Sequence, residues 1–116
     1  MLATEPLKAL VVEALDEIKA FDVKVLDVRE ITSVTDYMII ASGGSDRQVK
    51  AIARNVVEKA KQHGHMPLGM EGERDGEWVL IDLYDVVVHV MLPRVRDFYQ
   101  LEKLWTGEGK AQRAAH

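Results

Sequence analysis

The chain contains no cysteine. That single absence removes disulfides, thiolate catalysis and cysteine-based zinc sites together. Long apolar runs are missing too: the longest, Val86–Leu92, covers 7 residues, against the ~20 of a helical membrane span. The N-terminal MLATEPLK has no basic segment followed by an apolar stretch, so no secretion signal is expected and a cytoplasmic protein is the simplest reading. Excess positive charge is also lacking, with 15 Lys+Arg against 19 Asp+Glu and a net charge of −4. Only a weak basic cluster stands at Lys50–Lys61. A protein that grips phosphate backbones shows a basic face, so direct nucleic-acid recognition is not expected, whereas a basic protein partner suits this charge.

What remains is a composition that folds. Hydrophobic residues make up 47% and charged residues 29% of 116 positions, enough for one domain burying roughly two-thirds of its unfolded surface. Two apolar runs dominate, Trp78–Leu83 and Val86–Leu92, separated only by Tyr84-Asp85. Neither alternates cleanly, which predicts strands at a sheet centre with both faces covered.

The rest of the chain supplies the cover. Leu7, Leu10, Val11, Ala14, Leu15 and Ile18 recur at helical spacing and predict a helix from about Glu5 to Ala20, with Thr4 as N-cap. Val23–Val28 and Asp36–Ala41 read as strands. After Ser42-Gly43-Gly44, the Ser45/Gln48 pair forms a capping-box pattern for a second helix, which carries Val49, Ile52, Ala53, Val56, Val57 and Ala60 inward and ends near Gly64. Pro67–Glu71 is a short strand, and Asp75-Gly76 signals a hairpin that leads into Trp78. Tyr84-Asp85 is a poorer turn, because tyrosine tolerates positive φ badly. Pro93 opens a last helix in which Phe98, Leu101 and Trp105 share a face. The expectation is an α/β (α+β) domain over residues 1–105, a mixed five-stranded sheet flanked by helices, with a flexible tail over 106–116.

Four sets of residues invite a chemical reading. Gly43-Gly44-Ser45-Asp46 joins a strand to a helix, and backbone N–H groups at a helix start hold phosphate. Nucleotidyltransferases also need two metal-binding carboxylates about ten residues on, and here that span lies within a helix where Glu58 stands alone. No Walker lysine follows either. His63 and His65 have no third ligand nearby, so no metal is expected. His89 stands among valines, sharing a face with Val87 and Met91, and reads as a hydrogen-bonded core histidine. Asp82 and Asp85 straddle a turn with no nucleophile or oxyanion site at recognisable spacing, so no enzyme activity and no cofactor are expected. Trp78, Leu80 and Asp82 share one strand face. With Met70 across the hairpin and Glu71, Glu73 and Glu77 around it, Trp78 is either core or the centre of a protein-binding patch for a basic partner.

Several segments in order carry a resemblance: Asp36, MIIASGGSDRQVKAIA, EGE, then WVLIDLYDVVVHV and FYQLEKLW. From about Leu7 to Trp105 the chain resembles the ribosome silencing factor, or Iojap-related, family. The resemblance implies a nucleotidyltransferase-like domain without the catalytic carboxylates. It also implies a translational repressor that binds a large-subunit ribosomal protein, universal protein number fourteen, at the subunit interface and sterically blocks subunit joining. By motif match the binding residues would be Trp78, Asp82 and Leu83, with Met70 and Glu71 beside them. Tyr84 departs from the family, which commonly has Gly there. Homodimers are also implied. The competing reading is a nucleotide-binding enzyme that uses the Gly43–Asp46 loop.

Overall fold

The computed structural model describes residues 1–104. Trp105 and the expected tail lie outside the described residues. The elements run α1 (Thr4–Glu17), β1 (Phe21–Asp27), β2 (Tyr37–Ser42), α2 (Asp46–Gln62), β3 (Gly69–Glu71), β4 (Trp78–Asp82), β5 (Val86–Met91), α3 (Pro93–Tyr99) and α4 (Leu101–Leu104). The five strands form one sheet in the order β1-β2-β5-β4-β3. β2 and β5 run parallel, and every other neighbour is antiparallel. The sheet is therefore mixed, with β5 at its centre between β2 and β4.

One face is covered by helices over its centre, while Val23 and Val25 at its β1 edge stay exposed. Leu7, Leu10, Val11, Ala14 and Leu15 of α1 and Val49, Ile52, Ala53, Val56, Val57 and Ala60 of α2 pack on Ile39, Ala41, Val79, Ile81, Val86, Val88 and Val90. These are the helical stripes that the sequence periodicity picks out, and burying them supplies most of the stability. Ser45 caps α2 as its pattern predicts, its Oγ accepting from the Gln48 N–H at 3.1 Å. Gly64 follows the helix at φ 77°.

Four expectations need correcting. Thr4 lies inside α1 rather than capping it. Its hydroxyl donates to the Asp85 carboxylate at 2.9 Å, and the N-cap position falls to Ala3, which makes no side-chain cap bond. The last helix is broken: Gln100 adopts the left-handed conformation and separates α3 from α4. Phe98 is thereby 80% exposed, while Leu101 packs on the sheet, so the two do not share a buried face. The connection before β4 is a six-residue loop over 72–77, between the ends of β3 and β4, rather than a tight turn. Gly72 is needed there at φ 85°, because a Cβ would overlap the Trp78 carbonyl oxygen. Finally, the second sheet face is only partly covered: Trp78, Leu80, Asp82 and Val87 all remain half-buried.

The Tyr84 turn carries the strain that its sequence suggests. Tyr84 sits at φ 76°, and the Asp82 carboxylate steadies it by accepting the Tyr84 N–H at 2.9 Å. Tyr84→Gly relieves backbone strain of about 1 kcal/mol, whereas Tyr84→Ala removes the ring and keeps the strain. In urea denaturation the glycine variant is expected to be more stable than the alanine variant by about 1 kcal/mol.

Candidate functional site

Strand register decides which side chains meet on the second face. Trp78 stands beside Met91, Leu80 beside His89 and Asp82 beside Val87. Further along, Ile40 adjoins His89 and Met38 adjoins Val87, and Glu71 flanks Leu80. Val28, Met38, Ile40 and Met91 form a small buried cluster, with Leu26, Trp78, Val95 and Leu101 packed against it. Helices α3 and α4 cover one end of this face.

A buried ion pair fixes that cover. Arg96, only 7% exposed, donates through Nε and Nη2 to the Glu102 carboxylate and through Nη1 to Ser42 Oγ at 2.9 Å. These bonds hold the Glu102 carboxyl below its usual range, and each of the three guanidinium nitrogens has an oxygen partner.

Trp78 stands at the edge of the cover. Its indole N–H donates to His89 Nδ1 at 2.9 Å, and its ring centre lies 5.0 Å from that of Tyr99 on α3. His89, 5% exposed, fits the hydrogen-bonded core histidine expected from its neighbours. Burial drives its pKa down to about 4. A histidine with a depressed pKa takes up its proton more readily when unfolded, so its stabilising contribution is complete above about 6.5 and lost as pH falls toward 4. The full loss is on the order of 3 kcal/mol. Denaturation at pH 7 and pH 4 is expected to show this decline in the wild type, and a smaller decline in His89→Asn.

The structure separates the five residues that the motif match singles out. Trp78, Asp82 and Glu71 lie on the second, partly open face. Met70 and Leu83 do not join them. Met70 adjoins Ile81 and packs against the helix-side core. Leu83 is 0% exposed within that same core, so it offers no surface to a partner. The reason is alternation: neighbours along a strand point to opposite faces.

Two residues near this site escape sequence reasoning. Tyr99 reaches Trp78 only because α3 folds back over the sheet. His65 reads as a loop residue, yet it is 1% exposed. Its Nδ1 accepts the Leu2 N–H at 3.1 Å and its Nε2 donates to the Leu83 carbonyl at 2.8 Å. No local pattern announces either contact, since the partners are 63 and 18 residues away.

The Gly43–Asp46 junction is built for packing. A Cβ on Gly43 would stand 2.9 Å from Val49 Cγ2, so glycine lets β2 approach α2. The Gly44 N–H already donates to Gln48 Oε1 at 2.6 Å. The adjacent cleft is lined by Asp46, Asp75 and Glu77, with Arg94 as its one basic residue, and Arg94 is paired with Glu77. Three carboxylates at a helix start repel a phosphate. The carboxylates of Asp82 and Asp85 are occupied by the Tyr84 amide and the Thr4 hydroxyl. Among the described residues, no group of three or more His, Cys, Asp or Glu is placed to hold a metal ion, and no helix is long and apolar enough to cross a membrane.

Comparison with known proteins agrees with this geometry. The family model described as ribosomal silencing factor during starvation matches residues 2–115. The ribosomal silencing factor RsfS of Chromobacterium violaceum is 50% identical over 104 residues, covering 90% of this chain and 85% of that protein. A crystal structure of a Chromobacterium violaceum protein superposes with a TM-score of 0.88 at 49% identity, covering 90% of this chain and 87% of that one. More distantly, a Mus musculus protein named for mitochondrial assembly of the ribosomal large subunit is 34% identical over 103 residues, covering 84% of this chain and 44% of that protein.

Proposed function

This chain belongs to the ribosomal silencing factor family, and from that premise we propose that it represses translation by occupying the large ribosomal subunit where the small subunit must join. No bond is made or broken in this mechanism. The obstacle is the 13.1 kDa domain itself, held in a junction that has to close completely. The partner is a basic large-subunit protein, universal protein number fourteen, reached in the cytoplasm.

The observation that carries this reading is the partly open sheet face. A half-buried tryptophan, backed by a histidine and a tyrosine, supplies the rigid aromatic anchor typical of binding hot spots. Asp82 and Glu71 on the same face give it an acidic rim. Such a rim steers a basic protein toward it while neighbouring RNA phosphates are repelled. Self-association through the same face would bury Trp78 and compete with the ribosome.

Sucrose-gradient sedimentation with purified large subunits tests this. The protein is expected to migrate with large subunits and not with small ones, and less completely as salt rises. A protein that stays at the top of the gradient at micromolar concentration contradicts the proposal.

A further inference from the structure

Trp78 has one polar group, an N–H that can only donate. The group that accepts it is His89 Nδ1, at 2.9 Å. His89 cannot swing away to meet the indole elsewhere. It stands on β5, which is paired on both sides, and its register neighbours Ile40 and Leu80 enclose it on the sheet face. With Nδ1 accepting, the imidazole carries its proton on Nε2, and burial keeps it in that neutral form at physiological pH. The indole is thus held at its N–H by a fixed strand and on its ring by Tyr99, at 5.0 Å between centres.

We propose that His89 is a positioning residue for docking: its Nδ1 locks the Trp78 indole in the orientation that the partner meets, while His89 itself stays out of the interface. This rests on the reading of Trp78 as the docking anchor. The physical gain is preorganisation. A side chain already fixed in its bound rotamer loses little freedom on association, whereas a loose indole loses that freedom at binding and weakens it about tenfold.

The test uses the full chain with Trp105→Phe, which leaves Trp78 as the sole emitter of the two tryptophans. His89→Leu keeps an apolar side chain among apolar neighbours and removes the acceptor. His89→Asn restores an acceptor oxygen near the place of Nδ1. Affinity for purified large subunits and the near-ultraviolet dichroism of Trp78 are measured for each.

His89→Leu is expected to weaken binding about tenfold and to flatten the tryptophan dichroism, and His89→Asn to recover much of both. In a Trp78→Phe background, adding His89→Leu should produce no further loss, because there is no indole left to position. An equal loss in that background, or unchanged affinity in His89→Leu, overturns the proposal. Should His89→Leu not fold, His89→Met supplies the same comparison. Failure of the underlying reading looks different: Trp78→Ala would then bind large subunits as tightly as the wild type.

Discussion

Trp78→Ala is expected to reduce affinity for the large ribosomal subunit by at least thirtyfold. Truncating a central tryptophan in a protein interface commonly removes about 2–4 kcal/mol of binding free energy, and about 1.4 kcal/mol is a factor of ten. Trp78 has the features that place it in that class. Its ring is large, only half-buried, and held by His89 and Tyr99 before any partner arrives. The fold should survive, because the main core lies on the opposite face under α1 and α2 and does not include Trp78. Loss of binding should therefore accompany a near-native far-ultraviolet spectrum and a cooperative denaturation. Trp78→Phe keeps an aromatic ring but no indole N–H, so it should fall between wild type and alanine. Titration of labelled protein with purified large subunits checks all three.

The second large effect concerns stability. His65 links three separate parts of the chain: the segment before α1 through the Leu2 amide, the end of α2, and the β4–β5 turn through the Leu83 carbonyl. It is also in edge-on contact with Tyr84, at 6.1 Å between ring centres. His65→Ala removes both hydrogen bonds, leaves the carbonyl of a fully buried leucine without its partner and opens a cavity. Together these are expected to cost about 3–4 kcal/mol, a large part of the ~5–15 kcal/mol typical of a domain. The urea midpoint should fall accordingly, and amide exchange at Leu2 and in the 83–86 turn should rise most. A midpoint within experimental error of the wild type would show that the corner holds without His65. The link to function is indirect: this corner anchors the turn that ends β4, the strand that carries Trp78 and Asp82.

Much of this fold is legible in the sequence, for physical reasons. The apolar stripe of α2 has a strict helical period and a cap whose two residues are three apart, so local chemistry alone defines it. The two apolar runs are β4 and β5, short apolar stretches bounded by turn signals, although β4 alternates between half-buried and buried residues instead of being covered on both faces. The left-handed Gln100 is different, since nothing in QLEKLW marks a helix break and only the docking of Arg96 on Ser42 and Glu102 defines the new direction. Thr4 misleads for the same reason, as its hydroxyl finds Asp85, 81 residues away.

The candidate site divides in the same way. Trp78, Asp82 and Glu71 come together because alternation along β4 and register with β3 put them on one face. Leu83 and Met70 belong to the same motif in sequence but point to the other side. A motif match reports which residues travel together, and here two of the five pack on the helix side while the other three lie on the partly open face. The contacts of Trp78 with His89 and Tyr99 depend on pairing between distant segments, which sequence spacing does not encode.

Subunit joining itself is the most direct test. Purified large subunits are incubated with the protein, small subunits are added at a magnesium concentration that favours association, and joining is followed by light scattering. The expected result is a dose-dependent loss of joined particles that saturates when each large subunit carries one protein, with Trp78→Ala inactive at the same dose. Full joining on large subunits shown to carry the protein would contradict the account.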